Sequence, residues 1–140
     1  MTARALSSVS VGDAVGPVTV PVARDTLAAY AQASGDDNPI HQDEEFARSV
    51  GLPDVIAHGM WTMGASGAVV ADWAGDPGRV VEFRTRFTKP VVVPQGGAEI
   101  VVEGVVKTVD DESGRVTVDV TTTCQGQKVL GRCVAVVRLD

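Results

Sequence analysis

A carboxylic acid and an imidazole lie five residues apart in this chain, at Asp36 and His41, across a stretch dense in turn formers. Acid–base chemistry on a substrate that lacks an activated nucleophile needs two groups able to share one water molecule. A carboxylate can accept one hydrogen bond from that water while an imidazole handles its proton. Gly35 and Pro39 shape the intervening loop. Proline fixes φ just ahead of Ile40 and His41, and Asn38 is suited to bracing the turn through neighbouring backbone. The same Gly-Asp-x-Asn-Pro composition also suits a plain Asx-turn, so spacing alone leaves both readings open.

A second chemical signal is Ala57-His58-Gly59-Met60 at the start of a long apolar segment. Glycine at a helix N-terminus leaves an unobstructed N–H pointing outward, with the positive end of the helix dipole behind it. Such an amide can hold a carbonyl oxygen that gains negative charge during proton transfer at the neighbouring carbon. Gly59 could equally be small because the chain packs tightly there. His58 reads as a structural histidine bonded to loop backbone rather than as a second catalyst.

The elements that must position these groups follow from pattern. Val18 to Val22 reads as a short strand after Gly16-Pro17. Arg24 to Ala33 carries Leu27, Tyr30 and Ala31 at helical spacing, and Asp43 caps a short helix that runs to Val50. His58 to Ala74 is the one long helix, apolar on nearly every side and therefore expected to be buried, with small residues at Gly64, Ala65, Ser66, Gly67 and Ala68. After Gly75-Asp76-Pro77-Gly78 the period drops to two. Val81, Phe83, Thr85 and Phe87 then alternate with Glu82, Arg84, Arg86 and Thr88. Ala98–Val109, Val116–Thr122 and Val129–Leu139 complete a run of strands. Strands grouped apart from helices indicate an α+β fold, and an antiparallel sheet curled round one central helix is the hot-dog arrangement.

Bulk properties narrow the function. The chain has 140 residues, 44% apolar and 21% charged, which fits one domain over residues 1–140. The net charge of −6, with no Lys/Arg run interleaved with aromatics, argues against nucleic acid. No apolar leader or membrane span is evident, so a cytoplasmic location is expected. Cys124 and Cys133 flank a hairpin turn. With Gly126-Gln127 as its loop, Cys124 faces Val129 and Cys133 faces Val120, which sets the thiols roughly 13 Å apart, beyond disulfide reach. No metal motif is present.

The string YAQASGDDNPIHQDEEFA, from Tyr30 to Ala47, resembles the hydratase-2 motif of MaoC-like enzymes, and AHGMWTMG, from Ala57, resembles that family's entry to its central helix. Over nearly the whole chain, including SSVSVGD and VVEFRTRFTKPVVVP, the sequence is most similar to one subgroup. That subgroup is the catalytic B-type subunit of the 3-hydroxyacyl-carrier-protein dehydratases of actinobacterial fatty acid synthase II. The resemblance implies an R-specific hydro-lyase acting reversibly on trans-2-enoyl and 3R-hydroxyacyl thioesters. Asp36 and His41 would be its catalytic pair, Gly59 its oxyanion-hole amide, and Asn38 and Pro39 its loop support. Met60, Trp61 and Met63 are candidates for an acyl pocket.

No cofactor is expected, coenzyme A or phosphopantetheine being part of the substrate. The implied partners are an acyl carrier protein, and either a second copy or a paralogous hot-dog subunit lacking the Asp/His pair. Hot-dog thioesterases carry an acidic residue on the central helix; here only Asp72 is available, near its far end. A non-catalytic acyl-binding subunit would be expected to lose Asp36 and His41. Chain length, the choice of coenzyme A or carrier protein, direction and pathway are not legible.

Overall fold

The structure is a computed structural model that describes residues 2–140. Three helices, α1 (Arg24–Ser34), α2 (Glu44–Ser49) and α3 (Gly59–Ala74), accompany six strands. The strands are β1 (Ala14–Val22), β2 (Val80–Phe87), β3 (Ala98–Asp110), β4 (Arg115–Cys124), β5 (Gln127–Lys128) and β6 (Leu130–Arg138). All pairings are antiparallel in the order β1-β3-β4-β6-β2, with β5 beside β4. Helix α3 lies against this curved sheet, and the whole is the α+β hot-dog fold. No helix among the described residues is long and apolar enough to cross a membrane.

The core is the valine-rich inner face of the sheet. Ile100, Val102 and Val106 of β3, Val116 and Val118 of β4, and Ala135 and Val137 of β6 are fully inaccessible. Their neighbours Glu103, Lys107 and Arg115 stay exposed, as the two-residue period of a strand requires. Inside β6, Arg132 adopts φ +46° and acts as an extra residue. Leu130 and Cys133 therefore both face inward although an odd number of positions separates them.

Four expectations change. Strand β1 begins at Ala14 rather than Val18, and absorbs Gly16-Pro17 as an irregularity between Val15 and Val18. An edge strand tolerates the missing proline donor. The β4–β5 turn is Gln125-Gly126, with Cys124 opposite Gln127, because both turn residues take positive φ, 51° and 75°, as a type I′ turn demands. Cys133 does face Val120, and both thiols are free.

Helix α3 is not buried all round. Thr62, Ser66, Val69, Val70 and Ala74 face the sheet, whereas Met60, Gly64 and Ala68 are exposed. Its small residues admit side chains rather than backbone. The Phe87 ring stands where a Cβ on Gly59 would meet it at 3.1 Å, and Phe83 lies against Gly67 at 3.8 Å. In β2 itself, Val81 and Phe87 remain about half exposed, at 49% and 55%, because β2 is the sheet's edge and no further strand covers it.

Candidate active site

The loop between α1 and α2 is organised by short polar side chains. Gly35 ends α1 at φ +78°, a left-handed conformation that glycine adopts without a Cβ penalty. The Asp36 carboxylate accepts the Asn38 N–H (3.2 Å), and the Asn38 side chain accepts the Ile40 N–H (3.2 Å). Asn38 thereby caps a single 3₁₀ turn, Pro39–His41, with proline at its first position. This turn carries His41 inward, to 6% exposure, while Asp36 stays at the exposed rim. Asn38 and Pro39 thus shape the turn on which His41 stands.

The ring of His41 is fixed by one bond: Nδ1–H donates to the carbonyl of Ile56 at 2.7 Å. A carbonyl can only accept, so Nδ1 carries the proton and Nε2 is left with its lone pair. Burial depresses the His41 pKa below its usual 6.5. The neighbouring His58 pushes the same way, against the Ile56 bond and the nearby Asp36 charge. His41 is therefore neutral near pH 7, ready to take a proton through Nε2.

His58 is 2% exposed and stacks on His41, with ring centroids 3.7 Å apart. Tyr30 of α1 also packs against it, tilted, with ring centroids 4.7 Å apart. Its Nε2–H donates to the backbone carbonyl of Asp36 at 3.0 Å, so His58 ties the acid-bearing loop to the start of α3. This is the structural role that its place in the sequence suggests. Its Nδ1 is buried with no partner among the described residues. Asp36, His41 and His58 converge to within 4.8 Å, and among the described residues they are the group that could also hold a metal ion.

Gly59 opens α3, with His58 as its N-cap, so the Gly59 amide has no acceptor within the helix. Gly59 and His41 line one cavity of about 360 Å³, together with Ile56, Thr62, Phe87 and Leu130. Lys89, Pro90, Val91 and Val129 continue its wall. Met60, Trp61 and Met63 are not among the lining residues. Met60 points to solvent at 57% exposure and Trp61 packs on the core, because positions one and two beyond Gly59 turn off the face that Gly59 and Thr62 share; Met63, four positions on, stays near that face and is half-buried.

The actual apolar walls come from β2, β6 and the strap before β3. Only the phenylalanine spacing of β2 hinted at them. Ile56, whose carbonyl sets the His41 tautomer, carries no sequence signal, since backbone oxygens have none. It is placed by a short ladder: Ala57 N–H to Val91 carbonyl and Val93 N–H to Val55 carbonyl, both 2.9 Å, with Ile56 opposite Val92.

Fold and site together define a hot-dog domain with an acid, an imidazole and a helix-terminal amide gathered at one end of its central helix. Residues 7–125 match the MaoC like domain. The chain is 41% identical over 78 residues to 3-hydroxyacyl-thioester dehydratase X of Mycobacterium tuberculosis, covering 56% of this chain and 27% of that protein. It superposes on a solved MaoC-like dehydratase with TM-score 0.96 and 39% identity, covering 99% of this chain and 43% of the other. It also superposes on the (R)-hydratase of A. caviae involved in PHA biosynthesis, with TM-score 0.84 and 25% identity, over 95% and 98% of the two chains. The chain belongs to the MaoC-like family. It spans about a quarter of the length of that curated relative and less than half of the first solved one.

Proposed function

We propose that the protein is a hydro-lyase that adds water reversibly to trans-2-enoyl thioesters to give 3R-hydroxyacyl thioesters. The observation that carries this is the free Nε2 of a neutral, inward-facing His41 in the cavity that Gly59 also lines. The kinship with a named dehydratase and a named (R)-hydratase supports it.

In hydration, water held between Asp36 and His41 loses a proton to Nε2 as its oxygen attacks the β-carbon. The thioester carbonyl, held by the Gly59 N–H, takes up the charge, and the proton that His41 Nε2 took from water passes to the α-carbon on the same face, which completes a syn addition and restores neutral His41. Dehydration is the reverse. The chemistry is acid–base throughout and uses no cofactor beyond the coenzyme A or phosphopantetheine that carries the acyl group.

Asp72 sits in the last turn of α3 and is exposed, about 20 Å from Gly59 at 1.5 Å per residue. That distance disfavours a helix-borne acid acting as in a thioesterase. The exposed α3 face of Met60, Gly64 and Ala68, beside the open edge of β2, calls for a second hot-dog subunit, either a copy or a paralogue.

The test is crotonyl-CoA given to purified protein, following loss of the enoyl group and release of free coenzyme A separately. Hydration without release is expected, with Asp36→Asn and His41→Gln each about 10² to 10⁴ slower. Near-normal hydration by either variant overturns the assignment.

A further inference from the structure

Arg24, the first residue of α1, reaches three other segments through one guanidinium. Its Nε–H donates to the Val93 carbonyl at 2.7 Å, and its Nη2 donates to the Glu44 and Asp54 carboxylates, both at 2.9 Å. Nη2 carries two N–H groups, so each carboxylate takes its own. Arg48 stands farther off, 3.8 Å from Glu44 and 4.0 Å from Asp54. Gln95 also donates to Glu44, at 2.9 Å, and Asp54 accepts the Val55 N–H at 2.8 Å. The Arg24, Glu44 and Asp54 side chains are only 26%, 28% and 16% exposed, which shields these pairs from salt better than pairs in open solvent.

Each arm ends beside the bond that fixes the His41 tautomer. Glu44 opens α2 three residues after His41. Helix and turn form one run there, because the Asp43 N–H bonds the Pro39 carbonyl at 2.8 Å. Asp54 stands two residues before Ile56. The Ile56 carbonyl accepts His41 Nδ1–H, and the Ile56 N–H bonds the Ile40 carbonyl at 3.2 Å. The Val93 N–H bonds the carbonyl of Val55, the neighbour of Ile56. One guanidinium therefore grips both the segment that carries the histidine and the segment that carries its acceptor.

None of Arg24, Glu44 and Asp54 lines the active-site cavity, so they act on a substrate held there only through other groups. What sets these pairs apart is what they flank. The pair Arg79–Asp140 is equally short, 2.9 Å, and ties the 3₁₀ turn Pro77–Arg79 to Asp140 without touching any residue of the site. A guanidinium also fixes direction as an ammonium does not. The N–H groups that Arg24 uses lie in one plane, so a shift of one partner is felt by the other two.

We infer that Arg24 is a positioning residue, which acts on the reaction through the hydrogen bond between His41 Nδ1–H and the Ile56 carbonyl. While that bond holds, Nδ1 keeps the proton and Nε2 keeps its lone pair. Without the clamp the two segments are free to shift, the bond loosens, and either ring nitrogen can carry the proton. A molecule protonated on Nε2 has no base facing the cavity, so the loss falls on kcat and not on substrate binding. The consequence for rate rests on the hydro-lyase reading above; the consequence for the tautomer does not.

The experiment reads the imidazole nitrogens by NMR of nitrogen-labelled protein, beside crotonyl-CoA kinetics per folded molecule. The chain has two histidines, and His41→Gln assigns their signals. Wild-type His41 should carry its proton on Nδ1. Arg24→Gln should show a mixture of the two tautomers and lose about ten- to a hundredfold in kcat, with KM within about twofold. Arg24→Lys keeps the charge without the fork, and Asp54→Asn weakens one arm, so both should fall between. These two carry the same readouts should Arg24→Gln not fold. Arg79→Gln, which breaks the pair outside the site, should leave both the tautomer and kcat unchanged. A wild-type tautomer in the Arg24 and Asp54 variants would overturn the inference, and so would a loss confined to KM or to the folded fraction. A tautomer shift in a protein that hydrates nothing would sink the hydro-lyase reading and leave the clamp standing.

Discussion

The two ends of helix α3 are built on opposite principles. At its C-terminal end Val69, Val70 and Ala74 are sealed in the core, and Gly75 closes the helix in the left-handed conformation at φ +83°. Midway, the buried Ser66 hydroxyl is fully engaged, within 2.8 Å of the Thr62 carbonyl and 2.7 Å of the Thr122 hydroxyl. At the N-terminal end burial comes with incomplete pairing. His58 holds an unpartnered Nδ1, His41 a free Nε2 and Gly59 an amide without an acceptor in the helix. An unpaired buried polar atom costs about 1–3 kcal/mol. One end of the helix is thus built for stability, and the other gives up stability for a reactive cavity.

The largest effect that separates the two ends is catalytic. His41→Gln should lower hydration by about 10² to 10⁴ with little change in thermal midpoint; a midpoint that fell as far as the activity would merge the two ends into one structural unit. Gly59→Ala comes next. Its new Cβ lies 3.1 Å from the Phe87 ring, and overpacking of this kind costs about 1–3 kcal/mol. Adding Phe87→Leu should recover most of that loss in a denaturant titration. No recovery would show that something other than this ring excludes a side chain at position 59.

At the opposite end, Val70→Ala removes two fully buried methyl groups, worth about 1.5 kcal/mol by transfer, and should leave the rate per folded molecule unchanged. The smallest effect concerns pH. Because the His41 pKa is held below 6.5 by burial, the unfolded chain binds more protons than the native one between those two pKa values. Stability therefore rises with pH across that window, is fully present above 6.5, and declines as pH falls toward the native pKa. The kcat/KM profile should lose its basic form over the same acidic range. His41→Gln should flatten this part of the stability curve; an unchanged slope would assign it to other groups.

Much of this was legible residue by residue. Gly35, Asn38 and Pro39 act within a few residues of where they stand, so the turn that delivers His41 could be read from their types. The alternation of β3 and β4 declared their inner faces for the same reason. Met60, Trp61 and Met63, the acyl-pocket candidates, are not among the residues that line the cavity, because apolarity alone does not say what a side chain packs against. The walls are supplied instead by Phe87, Val91 and Leu130, up to 74 positions from Ile56 in the chain. Likewise Arg24, Glu44 and Asp54 look like ordinary charges on separate segments until the fold sets one guanidinium between the two carboxylates.

The sequence by itself determined the local parts: which stretches are strands and helices, which turn carries an acid and an imidazole, and where a glycine begins the central helix. Those follow from side-chain period and backbone preference, which act over a few residues. Only the tertiary structure decided that the Ile56 carbonyl fixes the His41 tautomer, that His58 ties the loop to α3, and that Arg24 joins Glu44, Asp54 and the Val93 carbonyl. Each of these depends on strand register and on backbone atoms brought together from distant segments, and neither is written in the type of any single residue.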